Sequence, residues 1–116
     1  VLTRDFLDSP EAESLLEHMA RSFRSLPIES YLRMNEATEI VDLGPELIRI
    51  SAPTLVIVGE NSQITPVDSG ASGIGARGIA NGVQNGSLLV MPNCGHLVLM
   101  EKFEEVCQAI IEFINQ

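Results

Sequence analysis

Ala52-Pro53-Thr54-Leu55-Val56-Ile57-Val58-Gly59-Glu60 is the stretch whose reading decides the fold. Its centre, Thr54 to Val58, is an unbroken β-branched and apolar run closed by Gly59, the pattern of a strand buried on both faces of a parallel sheet. Ser87-Leu88-Leu89-Val90-Met91, closed by Pro92, repeats the pattern. The 28 residues between Val58 and Ser87 are too many for a hairpin and predict a right-handed crossover through a helix. Six of the nine glycines lie within a 17-residue stretch of that crossover, at Gly70, Gly73, Gly75, Gly78, Gly82 and Gly86. Each costs a helix about 1 kcal/mol relative to Ala, so the crossover helix should be short, frayed or partly loop. Downstream, Phe103, Val106, Cys107, Ile110, Phe113 and Ile114 form a strong amphipathic stripe and predict a C-terminal helix.

Upstream of this core the grammar is helical and more polar. Ser9-Pro10-Glu11 reads as an N-cap, a proline at the first helical position and an acid in the first turn. Ala12, Leu15, Leu16, Met19 and Phe23 follow at helical spacing. Pro27 should stop that helix, a weaker one should run through Tyr31, Leu32 and Met34, and Gly44-Pro45 should break the chain before a short turn from Glu46 to Ile50. The fold expected is therefore α/β: two parallel strands, a crossover helix and a C-terminal helix over residues 51–116, preceded by a helical segment over residues 1–50.

Composition narrows the function classes. The chain has 116 residues, 7 Lys+Arg against 16 Asp+Glu for a formal charge of −9, 45% hydrophobic residues and no Trp. Such an acidic chain with scattered cations repels nucleic acid and anionic membrane surfaces, so neither is expected as a partner. No apolar run exceeds the length of Leu55-Val56-Ile57-Val58, far short of the roughly 18 residues of a membrane-spanning helix. The N-terminus turns polar at Arg4 and Asp5, unlike a signal peptide. Cys94 and Cys107 are too few for a disulfide framework, and a cytoplasmic location is expected. The start at Val1 points to a processed product or an excised piece.

Three stretches taken together resemble the α/β-hydrolase family. Ala52 to Glu60 followed by Thr65-Pro66 looks like that family's penultimate strand and the loop carrying the acidic member of its triad. Asn93-Cys94-Gly95-His96 looks like the loop presenting the catalytic histidine, and Glu101 with the Phe103–Phe113 helix matches the last helix. The resemblance covers residues 50–114 and implies a partial α/β-hydrolase-like fold, with residues 1–50 resembling the end of a lid or cap. It implies an ester, lactone or similar small acyl substrate and His96 as general base. Independently of it, a histidine just beyond a buried parallel strand sits where open α/β sheets bind ligands, and its imidazole can take and return a proton. Gly95 before it allows backbone geometry that a Cβ would resist. The alternative is a loop histidine satisfied by its surroundings; His18, on the polar side of the first helix, reads that way.

The acid position departs from the family. The pattern Gly-Glu-x-Asp is met by Gly59-Glu60-Asn61-Ser62, so Ser62 occupies the usual acid position and cannot carry its charge. Asp68 is the nearest downstream carboxylate and a substitute candidate, with an N-cap of the crossover helix as its alternative role. Glu60 is a second candidate, with service to its own loop as the alternative. No Gly-x-Ser-x-Gly turn is present, so nucleophile and oxyanion hole are both lacking. Gly73-Ile74-Gly75-Ala76-Arg77-Gly78 fits the dinucleotide pattern Gly-x-Gly-x-x-Gly, but Thr65-Pro66 separates it from the strand it would have to follow. Cys94, His96 and Cys107 do not make a plausible zinc set, because Cys107 falls on the buried stripe of the last helix. No cofactor or metal is expected.

The function expected is that of the C-terminal part of an α/β-hydrolase, inactive as an isolated chain. The rival is a non-catalytic module of the same fold that binds a small ligand or a protein, with a dinucleotide-binding segment as a third possibility. Two parallel strands leave open edges and apolar surface, so the expected partner is a missing N-terminal half or a second copy of the chain.

Overall fold

In the computed structural model, which describes residues 1–40, 42–68 and 74–116, two parallel strands organise the larger of two units. β1 (Pro53–Gly59) lies beside β2 (Asn85–Met91), with Pro53 opposite Asn85 and Gly59 opposite Met91. Both strands therefore end at the same level. Side chains alternate between the faces of a strand. Ile57, Leu89 and Met91 thus share one face, where they pack with Cys94, Val98, Val106 and Ala109 to form the core. Val106 comes from the C-terminal helix α6 (Phe103–Ile114), and Val98 opens the preceding turn of helix α5 (Val98–Glu101).

The opposite face is covered by the crossover helix α4 (Ala76–Gly82), which buries Ala76 and Ala80. At seven residues it is as short as its glycines require. Gly86 allows its close approach, because a Cβ there would strike the carbonyl oxygen of Ala80. Of the glycine-rich stretch, Ser69, Gly70, Ala71, Ser72 and Gly73 lie outside the described residues. Gly75 is the N-cap of α4, and the loop after β1 separates it from the strand.

The division between the units falls at Leu43 and Gly44. The reason is a set of bonds from the α4–β2 connection. A 3-10 turn spans Gly44–Arg49. Gln84 donates from its side chain to the Ile48 carbonyl (2.8 Å) and from its backbone to that of Ile50 (3.1 Å), and the Asn85 side chain donates to the Ser51 carbonyl (2.7 Å). These bonds tie the turn to the sheet. Val1–Thr3 also belongs to this unit.

The second unit, Arg4–Leu43, contains α1 (Arg4–Leu7), α2 (Pro10–Ser25) and α3 (Ile28–Ile40). Ser9 has the extended backbone of an N-cap, yet its hydroxyl makes no capping bond and is buried without a partner. Pro27 does two jobs. It cannot donate into α2, and its carbonyl accepts from Ser30 (3.0 Å) and Tyr31 (3.2 Å) to begin α3. Every residue from Arg21 to Thr38 is exposed, including Phe23, Leu26, Ile28 and Tyr31, which line a small apolar cleft.

The amphipathic stripe of α6 is wider than the surface it covers. Val106 is buried, but Phe103, Ile110 and Ile114 are exposed at 62%, 39% and 73%.

Gly59 is the position where the fold should tolerate a side chain least. A Cβ there would collide with the backbone carbonyls of Cys94 and Gly95, which cannot rotate away. Gly59→Ala is expected to cost about 3 kcal/mol or more, read as a fall in the urea midpoint. Gly78→Ala is the control, because its Cβ meets only the Ile74 side chain and it gains helix propensity. It should stay within about 1 kcal/mol of the parent.

Candidate functional site

The loops leaving β1 and β2 are joined through their backbones. Glu60 N–H donates to the Met91 carbonyl and Asn61 N–H to the Cys94 carbonyl, each at 2.9 Å. In return the Glu60 carboxylate accepts from the backbone N–H of Asn93 (3.1 Å), so Glu60 serves the loop pair and not an imidazole. Asn93 takes a left-handed conformation (φ 49°) to turn the second loop, a conformation that Asn tolerates better than most residues.

This lacing brings Ser62 to His96. Ser62 Oγ lies 3.1 Å from His96 Nδ1. Ser62 is only 6% exposed, and its hydroxyl oxygen also accepts from the backbone N–H of Thr65 (3.3 Å). Ser62 thus meets the His96 imidazole at Nδ1, as a neutral hydroxyl. His96 itself is half-buried.

Asp68, the substitute acid, goes elsewhere. Its carboxylate pairs with Arg77 Nε at 2.5 Å on the exposed surface. The backbone explains this: Ala76 N–H donates to the Pro66 carbonyl and Arg77 N–H to that of Val67, both at 2.9 Å, which turns the described part of the segment toward α4. Its N-cap alternative is not met either, because Gly75 holds that position and no side chain caps it. His18 is an exposed residue of α2.

Gly95 is needed for space and not for an unusual dihedral. A Cβ on it would meet the Val1 carbonyl oxygen and Glu101 Oε1. Its own N–H donates to Glu101 Oε1 (3.0 Å), and the next N–H, of His96, donates to the Val1 carbonyl (2.6 Å). Glu101 Oε2 accepts from both the backbone N–H (3.2 Å) and the hydroxyl of Thr3. Glu101 therefore anchors the histidine loop to the N-terminal strip. Sequence reasoning matched Glu101 only to the last helix, because nothing local to it signals a partner 98 residues upstream. Thr65, whose N–H engages Ser62, was missed as a contributor for the same kind of reason.

Cys94 is fully buried beneath the loop. Burial pushes its thiol up from the ordinary value of 9.0, the nearby Glu101 carboxylate adds to the rise, Lys102 opposes it and Glu105 adds a little more. Such a thiol is a packing group and not a nucleophile. Among the described residues, no group of three or more His, Cys, Asp or Glu is placed to hold a metal ion, and no helix is long and apolar enough to cross a membrane.

Comparison with known proteins adds relatives to this geometry. No family model matches the chain. It is 34% identical over 74 residues to 2-hydroxy-6-oxononadienedioate/2-hydroxy-6-oxononatrienedioate hydrolase 2 of Pseudomonas putida, a match covering 64% of this chain and 24% of that protein. The structure of a thermophilic esterase from Thermogutta terrifontis superposes with a TM-score of 0.57 at 34% identity, over 64% of this chain and 25% of that one. MGS-M2, an alpha/beta hydrolase enzyme from a Medee basin deep-sea metagenome library, superposes over 100% of this chain and 41% of its own, with a TM-score of 0.68 at 21% identity. The matched stretch spans about a quarter of the length of the curated relatives.

The burial of Cys94 has a chemical readout. In the native chain iodoacetamide should modify Cys107, which is half-buried, while Cys94 reacts only after unfolding. The folded state holds the Cys94 proton to higher pH than the unfolded chain does. Its contribution to stability is therefore complete below pH 9.0 and is lost as pH rises beyond that value, a slope that Cys94→Ala should remove in urea titrations.

Proposed function

Because the chain carries the C-terminal portion of the α/β-hydrolase fold, we propose that it supplies the histidine-loop part of a hydrolase site for an ester, lactone or similar small acyl substrate. In this reading His96 is the general base, and a nucleophile-bearing N-terminal half brings the serine and the oxyanion hole. The supporting observation is the 3.1 Å contact of Ser62 Oγ with His96 Nδ1, the geometry of a triad acid and its base with the acid replaced. The relatives' hydrolase and esterase activities point the same way. The chain carries no Gly-x-Ser-x-Gly turn, and by itself it should be silent toward acyl substrates.

The helical unit fits the role of a lid or cap, since its apolar residues Phe23, Leu26, Ile28 and Tyr31 lie open to solvent. The exposed Phe103, Ile110 and Ile114 of α6 are surface that the N-terminal half, or a second copy of the chain, would cover. A second reading, a ligand- or protein-binding module of the same fold, draws its support from Ser62, since a hydroxyl cannot stabilise an imidazolium as a carboxylate does.

Reassembly separates the two. With the N-terminal half of an α/β-hydrolase supplied in trans, the complex should label with a fluorophosphonate probe, and His96→Ala should abolish turnover. A stable complex that never labels would favour the binding module. Sedimentation of the chain alone at micromolar concentration should show self-association, and a compact monomer at all concentrations would exclude the second copy as a partner.

A further inference from the structure

One hydrogen fills the contact between Ser62 Oγ and His96 Nδ1, and the surroundings of Ser62 decide which of the two donates it. The Ser62 hydroxyl offers one O–H donor and two acceptor lone pairs. The Thr65 N–H already occupies one lone pair. Among the described residues, the remaining polar neighbour of this buried hydroxyl is His96 Nδ1. If Nδ1 carried the ring hydrogen, it would donate to Oγ, and the Ser62 hydrogen would be left in a buried site with no recorded acceptor among the described residues. If Nδ1 is bare, every group at this contact is satisfied: Thr65 N–H donates to Oγ, and Oγ–H donates to Nδ1.

We propose that Ser62 is a positioning residue that donates its hydroxyl hydrogen to Nδ1 and holds the neutral His96 imidazole in the tautomer with its hydrogen on Nε2. A carboxylate at this position could only accept, and would enforce the opposite tautomer. The consequence falls on Nε2, the ring nitrogen on the far side from Ser62. An Nε2 that carries hydrogen has no lone pair for a nucleophile's proton and presents a donor, suited to a carbonyl or carboxylate oxygen of a bound molecule. The general-base step needs the Nδ1–H form, in which the Nε2 lone pair takes the hydroxyl proton and the ring becomes imidazolium. Ser62 thus selects the form that binds over the form that catalyses. This rests on the hydrolase reading only for the catalytic consequence, a general base held back relative to one paired with a carboxylate.

The tautomer can be read directly from the whole chain. With His18→Gln leaving a single imidazole, nitrogen-15 NMR at a pH where the ring is neutral should give a pyridine-type shift at Nδ1 and a pyrrole-type shift at Nε2. Ser62→Thr keeps the donor and should preserve that pattern, whereas Ser62→Ala should give averaged shifts from mixed tautomers. Ser62→Asp should reverse the pattern, and in the reassembled protein it should raise the rate of probe labelling at least about tenfold, since a histidine held in the wrong tautomer is a large catalytic handicap. A pyrrole-type Nδ1 in the Ser62 chain, or shifts that Ser62→Ala leaves unchanged, would overturn the proposal. Should Ser62→Asp misfold, the Ser, Thr and Ala forms still decide it. The expected tautomer combined with no labelling by any form would sink the hydrolase reading and leave this inference standing.

Discussion

The seam between the two loops is the constraint on which the rest depends. Two strands that end level with one another release their chains side by side, and Gly59 lets the second loop lie against the first at a separation no side chain would permit. Two backbone bonds, from Glu60 to Met91 and from Asn61 to Cys94, then fix the register of one loop on the other. Ser62 and His96 meet because they are the next residues out from a joint made of main chain. Beneath the joint, Cys94 fills the gap between the loop and α6, and Glu101 ties the loop's outer side to Thr3.

The apolar inventory is unevenly spent. Between sheet and helices the chain builds a small, dry core around Met91, Cys94 and Val106. Elsewhere it leaves large side chains in water, on α6 and along the second and third helices. Burying a Leu, Ile or Phe side chain contributes about 1.5–3 kcal/mol, a gain that these exposed side chains do not make in the described structure.

Much of this was legible from residue order, and the failures have physical causes. Thr54–Val58 and the stripe from Phe103 to Ile114 were legible as a strand and a helix because an unbroken β-branched run and a three-to-four-residue repeat are different periodicities, although the strand is buried only at its end and the stripe only at Val106. The shortness of α4 followed from its glycines. The Ser62–His96 pairing was legible only as a resemblance, since loop lengths bound a distance without setting a direction. Asp68 illustrates the difficulty: it lies only six residues beyond Ser62, yet two backbone bonds turn its segment toward Arg77. The attachment of residues 48–51 to the sheet was not legible, because Gln84 and Asn85, far along the chain, supply the bonds. Ser9 shows the converse, a correct cap position whose hydroxyl goes unused.

The parallel pairing also sets the order in which this unit can form. Every rung of the ladder, from Pro53 with Asn85 to Gly59 with Met91, joins residues separated by the entire crossover. No rung can form early from neighbours in sequence, so the entropy of closing that long loop falls due before any sheet contact offsets it. The histidine loop is later still, because its backbone partners are the ends of strands already paired. Helical contacts, being local, carry no such closure cost, whereas the meeting of position 62 with position 96 depends on the ladder's register being in place.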